Sequence, residues 1–313
     1  MKTLSKKENF LGLDNEWADI ARAKVVILPT PYEFTSSYGK GSENAPQAIL
    51  SASQYVELYD EELDGEPYKW TDGIATLCPM RFDENWKDAT SIHAIAKHVQ
   101  SLLDVGKFVV TLGGEHTIAV GTVKAHSARY KDLSVLQLDA HADLRQQYQG
   151  NPYSHASTMA RIYAFNKNIV QVGIRSLCVE EKDFIEQNGI ETFYAHKMKN
   201  YNSGALTWYD AVINRLNELV YLTLDCDYFD PSVIPSLGTP EPGGFGWDET
   251  LRFFKNLTES RKIVGFDVSE ISPIPGFVYP EFTIAKLIYK LIGYIFSHVE
   301  HHAKSKGRES GIE

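Results

Sequence analysis

Three short clusters of acids and histidines stand out for the chemistry their spacing permits. They are Gly113-Gly114-Glu115-His116, Asp139-Ala140-His141-Ala142-Asp143, and Asp225-Cys226-Asp227 leading to Asp230 and Pro231. Taken singly, each has an ordinary explanation, since an Asp after a strand commonly caps a helix or forms a turn. In an extended segment, however, alternate side chains point to one side. Asp139, His141 and Asp143 would then share a face, as would Asp225 and Asp227, and the alanines between them leave the polar residues no local packing role. With His116 added, four carboxylates and two imidazoles would surround one small volume, where the carboxylates repel strongly unless a cation lies among them. Two divalent metals would neutralise them. Mixed carboxylate and imidazole donors suit manganese, although nickel, cobalt and iron accept similar ligands.

Each cluster directly follows a short, continuous apolar run. Six such runs are clear: Lys24–Leu28, Lys107–Leu112, Leu133–Asp139, Asn168–Ile174, Leu219–Asp225 and Lys262–Val268. Continuous rather than alternating apolarity is the pattern of strands buried on both faces. Helix-length amphipathic stretches lie between them, over Ser91–Asp104, His116–Arg129, Trp208–Asn217, Asp248–Leu257 and Phe282–His298. Strands alternating with helices predict right-handed crossovers and an α/β fold: a central, mainly parallel sheet flanked by helices in three layers. In such sheets ligands bind at the carboxyl ends of the strands, where all three clusters fall. The longest irregular stretch, Asp230–Gly246, is rich in Pro and Gly, and a loop of that length in a compact domain usually serves a site. No linker, composition break or repeat divides the chain, so one domain is expected over residues 1–313.

Composition narrows the partners. The chain has 313 residues, 43% hydrophobic and 23% charged, as in ordinary globular proteins, and a net charge of -10. An acidic chain argues against nucleic-acid or anionic-membrane partners, which want a basic face, and is compatible with a cationic substrate. The N-terminus lacks a signal-peptide core, and no window approaches the roughly 20 apolar residues of a membrane span. Cys78, Cys178 and Cys226 have no close spacing, so neither a disulfide framework nor a zinc ribbon is suggested, and a cytoplasmic setting is expected.

Other features carry less. Gly39, Gly41 and the run Gly243–Gly246 lack the full fingerprint of a phosphate loop. His298, His301 and His302 have helical spacing and read as a solvated helix end. Cys226 would point away from its flanking aspartates and reads as packing. Tyr32, Tyr38, Tyr153 and Trp247 read as core or loop filler.

In order and spacing the GGEH, DAHAD and DxD clusters, Thr239–Gly244 (TPEPGG) and Phe266–Pro273 (FDVSEISP) resemble the ureohydrolase family of arginases, agmatinases, guanidinobutyrases and formiminoglutamases. The resemblance spans nearly the whole chain, from Pro31–Gly41 onward. It implies a binuclear manganese site, with one ion held by His116, Asp139, Asp143 and Asp225 and the other by Asp139, His141, Asp225 and Asp227. A hydroxide shared by the ions, which would lie roughly 3.5 Å apart, would attack the guanidinium carbon. Glu270 matches the guanidinium-binding glutamate, whose carboxylate can accept two parallel charged hydrogen bonds. His155 matches a proton-shuttling histidine, a role suited to an imidazole. On this reading the catalytic residues are His155, Glu270 and Asp143, the last doubling as a ligand. Trimers and hexamers are common in the family, so a homo-oligomer is expected. Two departures are modest: Cys226 replaces a usual aliphatic residue, and Ser236-Leu237 replaces part of a glycine-rich run at the site mouth.

The segment Leu144–Ser157 bears on substrate. Its DLR and YSHAS pieces resemble agmatinases, whose substrate lacks an α-carboxylate, and agmatine hydrolysis to putrescine and urea is the expected reaction. Guanidinobutyrate, aminopropylagmatine and arginine are the alternative substrates. A non-catalytic homologue serving as a binding partner is a different class, and the presence of all six ligands argues against it.

Overall fold

The computed structural model describes residues 1–83, 85, 89–200 and 206–309, with side chains to residue 297. Eight strands form one sheet: β1 (Val25–Thr30), β2 (Ile74–Thr76), β3 (Phe108–Gly113), β4 (Ser134–Leu138), β5 (Ile169–Ile174), β6 (Glu191–Tyr194), β7 (Leu219–Asp225) and β8 (Lys262–Ser269). Their order across the sheet is β2-β1-β3-β8-β7-β4-β5-β6, and every pairing is parallel. Six correspond to the apolar runs. The other two, β2 and β6, are the edges, and at 3 and 4 residues they are too short to leave a periodic signature.

Continuous apolarity has the physical cause expected of it, because successive residues of one strand enter cores on opposite faces. Val25 and Ile27 of β1 join one cluster while Val26 and Leu28 join the other. In β7, Val220, Leu222 and Leu224 face the first and Tyr221 the second. The first face is covered by the helices Ala45–Ser53, Trp247–Ser260 and Tyr279–Glu309, and the second by Ala89–Leu103 and Ile118–Arg129. This is the expected three-layer α/β arrangement.

Several helix boundaries differ from expectation: the last helix runs Tyr279–Glu309 rather than Phe282–His298, and two others, at Ala89–Leu103 and Trp247–Ser260, shift by one to three residues. The helix after β3 starts at Ile118 rather than His116, and the His116 amide donates to the Glu270 side chain at 2.6 Å. The helix at Trp208 ends at Ile213, four residues early, before the chain turns into β7. His298, His301 and His302 lie outside the residues whose side chains are described. Among the described residues, no helix is long and apolar enough to cross a membrane.

Candidate metal centre and substrate cleft

The four central strands, β3, β8, β7 and β4, are adjacent and parallel, so their carboxyl ends open on one spot. β3 delivers His116, β8 delivers Glu270, β7 delivers Asp225 and Asp227, and β4 delivers Asp139, His141 and Asp143. All six expected ligands converge there. Nδ1 of His116 lies 3.1 Å from Asp139 Oδ2, 3.0 Å from Asp143 Oδ2 and 3.5 Å from Asp225 Oδ2. Nδ1 of His141 lies 2.7 Å from Asp227 Oδ2 and 3.7 Å from Asp139 Oδ1.

Their route differs from simple strand alternation. β4 stops at Leu138, and Asp143 sits in the left-handed region (φ 54), so a turn rather than the pleat aims it at His116. Asp227 belongs to a single helical turn, Cys226–Tyr228, and its amide donates to Asp225 Oδ1 at 3.0 Å. Cys226 is fully buried in the core, and burial pushes its thiol pKa up, so it packs as expected.

The electrostatics show what this donor set requires. Asp139 is wholly buried, and burial followed by the charges of Asp227 and Asp143 pushes its pKa to about 7. Burial, then Asp227, Asp139 and Glu270, hold Asp225 well above the usual carboxylate range. Burial works against a charged imidazole at His141, yet Asp227 and Asp139 outweigh it and raise the group to about 10. Asp227 is the complement: its burial is outweighed by His141, which draws it to about 2. Asp139 and Asp225 thus hold protons above the usual carboxylate range, which is the state a cation would relieve. The atoms offered by His116, Asp139 and Asp225 lie within 4.8 Å of one another, as do those of Asp139, His141 and Asp227. Two overlapping sets that share a carboxylate fit a pair of divalent ions, with oxygen and imidazole donors of the type that manganese accepts.

Partners behind the cluster orient it. Nε2 of His116 lies 2.9 Å from Thr223 Oγ1, which donates to Asp267 Oδ1 at 2.7 Å. Asp267 also accepts from Tyr221 (2.7 Å) and Thr122 (3.0 Å). Arg175 grips the backbone carbonyls of Asp227 (2.6 Å) and Glu241 (2.7 Å), tying the TPEPGG loop to the β7 motif. The roles of these five partners are not legible in the sequence, because each acts on residues brought near by folding.

Glu270 and His155 meet at the mouth. Glu270 has φ 67, and a non-glycine residue held in the left-handed region at a strand end is a mark of functional sites. Burial is the main cause holding its pKa well above the ordinary value. Nδ1 of His155 lies 3.7 Å from Glu270 Oε1, and its Nε2 lies 3.1 Å from Ser37 Oγ. Ser236 and Leu237 pack beneath Glu270: Leu237 bridges Ile271, and the Ser236 carbonyl accepts from the Ser272 amide at 2.8 Å. The resulting cleft has a volume of about 200 Å³ and is lined by Ser37, His141, Asp143, Arg145, Tyr148, His155, Ala156, Asp225 and Thr239. That is below the 300–1,000 Å³ typical of sites for drug-sized ligands, so a small or slender molecule fits.

Comparison with known proteins agrees with this geometry. The chain is 40% identical over 279 residues to an N(1)-aminopropylagmatine ureohydrolase of Synechocystis sp., covering 88% of this chain and 90% of that one. It is 33% identical to an agmatinase of Pyrococcus horikoshii, over 88% of this chain and 93% of that one. Among solved structures, the agmatine ureohydrolase of Thermoplasma volcanium superposes with a TM-score of 0.81 at 30% identity, over 96% and 97% of the two chains. With the arginase family model matching residues 23–293, the chain belongs to the arginase family.

Proposed function

We propose that this ureohydrolase of the arginase family releases urea from a guanidino compound lacking an α-carboxylate, with N(1)-aminopropylagmatine the first candidate and agmatine the second. The observation that carries the reading is the convergence of six candidate metal-ligand side chains and a buried carboxylate, Glu270, at the carboxyl ends of four adjacent strands, with His141, Asp143, Asp225 and His155 lining a narrow cleft. Two divalent ions, manganese in our reading, would be held by His116, Asp139, His141, Asp143, Asp225 and Asp227 and would activate water for attack at neutral pH. Glu270 receives the planar guanidinium by charged hydrogen bonds, and the incoming cation offsets the burial that raises its pKa. This fixes the guanidinium carbon facing the ligand cluster. Asp143 orients His116 from within the cluster. His155, beside Glu270, passes a proton to the departing amine.

Two observations support the absence of an α-carboxylate. Arg145, the guanidinium lining the cleft, is directed to Glu181 at 3.8 Å and lies over the Tyr148 ring at 5.3 Å, so its charge is already engaged. The 40% identical relative favours the aminopropyl compound, while the DLR and YSHAS pieces keep agmatine in view. The test is urea release by manganese-loaded protein from aminopropylagmatine, agmatine, arginine, guanidinobutyrate and guanidine. We expect kcat/KM for the first two to exceed that for arginine by roughly 10²-fold or more, since a buried carboxylate would lack a partner. An arginine value equal to or above both would overturn the substrate assignment while leaving the hydrolytic reading intact.

A further inference from the structure

Glu115 presents a puzzle that the metal centre does not solve. It neighbours His116 in the GGEH turn and is fully buried, yet it belongs to neither set of metal-donor side chains. A carboxylate in such a place is stable only when its oxygens are saturated with donors. They are saturated by Thr117 and, three times over, by a loop distant in sequence. Oε2 accepts the amides of Phe34 (2.8 Å) and Thr35 (2.6 Å), and Oε1 accepts the hydroxyls of Thr35 (2.7 Å) and Thr117 (2.6 Å).

The direction of these bonds carries the argument onward. The Thr35 hydroxyl donates to Glu115, so its lone pairs are left to accept. One of them takes the backbone amide of His155 at 2.9 Å. Two residues along the same loop, Ser37 Oγ reaches the His155 ring at 3.1 Å. The far end of the loop is pinned separately, by the Glu33 carboxylate accepting the amides of Gly41 (3.0 Å) and Glu43 (3.1 Å). His155 is therefore held by backbone and ring from one loop, and that loop is anchored to the end of β3 by Glu115.

We infer that Glu115 is a positioning residue that acts through Thr35 and Ser37 to set the His155 imidazole beside Glu270. The inference rests on the role proposed for His155. It predicts that Glu115→Gln and Thr35→Val each lower kcat by about tenfold or more with a smaller change in KM, because misplacing a proton-transfer group by a fraction of an ångström slows that step alone. Both variants should still bind two metals per chain, and Thr35→Ser, which keeps the hydroxyl, should restore the rate.

The deciding experiment is a double-mutant cycle with His155→Ala, with metal content measured on every variant. His155→Ala should lower kcat by roughly 10²-fold or more. In that background Thr35→Val and Glu115→Gln should cost less than about twofold further, since residues acting through one group are not additive. Full additivity, or unchanged kcat in both single variants, overturns the positioning role alone. Unchanged kcat in His155→Ala overturns the role of His155 and the present inference with it. Should Glu115→Gln fail to fold, the Thr35 variants complete the cycle by themselves.

Discussion

At the scale of single residues, the centre is organised by repulsion. Asp225 stays protonated above the normal carboxylate range because burial, Asp227, Asp139 and Glu270 all disfavour its charge, while His141 takes up a proton and titrates at about 10. Metal ligands bind deprotonated, so metal uptake must expel these protons and its affinity must rise with pH. The same logic predicts an unusual variant. Asp225→Asn removes one member of the crowd, so the metal-free protein should melt no lower than the parent. On the proposed reading, the rise in Tm that manganese gives the parent should be lost, because one of the proposed ligands is gone. A thermal melt with and without manganese checks both halves, and a variant that retains the full metal-dependent rise would remove Asp225 from the ligand set.

At the scale of elements, the turn after β3 has to approach the Pro31–Ser37 loop more closely than a side chain allows. A Cβ placed on Gly114 would lie 2.3 Å from the Tyr32 carbonyl oxygen, which is backbone and cannot rotate away. The amides of Gly114 and Glu115 donate to the carbonyls of Thr30 (3.1 Å) and Tyr32 (2.9 Å), so the two segments are bonded as well as touching. Gly114→Ala should therefore destabilise the fold by about 2–3 kcal/mol and lower kcat through displacement of Glu115 and His116. Urea denaturation measures the first effect and urea release the second. A loss below about 0.5 kcal/mol would mean that the turn relaxes freely, contrary to the close approach described.

At the scale of the whole molecule, a buried histidine away from the cluster links stability to pH. His126 is fully buried; its Nδ1 donates to the Thr122 carbonyl at 2.8 Å, while no partner for Nε2 is found among the described residues. It packs 4.4 Å from the Tyr221 ring centre. Burial lowers its pKa from the ordinary 6.5 to about 4. Between those values the unfolded chain holds a proton that the folded chain refuses, so stability falls as pH drops through 6.5 and the loss is complete below about 4. The full effect is about 3 kcal/mol. Urea midpoints measured on metal-free protein from pH 7 to pH 4.5 should decline less steeply for His126→Phe than for the parent, by as much as one proton. Equal slopes would show that His126 does not carry this dependence.

Much of the site could be read before the fold. Donor types and their spacing in GGEH, DAHAD and DCD, each after a continuous apolar run, are enough to expect a parallel sheet with a cluster of candidate metal ligands at its carboxyl edge. Those signals are local: two-sided burial is written in consecutive residues, and a repelling set of ligands is written in their charges. Only the tertiary structure decided that β3, β8, β7 and β4 lie side by side, because strands that are not consecutive in sequence pair through non-local packing. It also decided that Asp143 arrives by a left-handed turn, that Thr223 and Asp267 stand behind His116, and that Arg175 gathers the TPEPGG loop. Glu115 shows the division most plainly. As a letter in GGEH it is a neighbour of a candidate metal ligand, and only the folded loop beside it supplies three of the four donors that give a buried carboxylate its place.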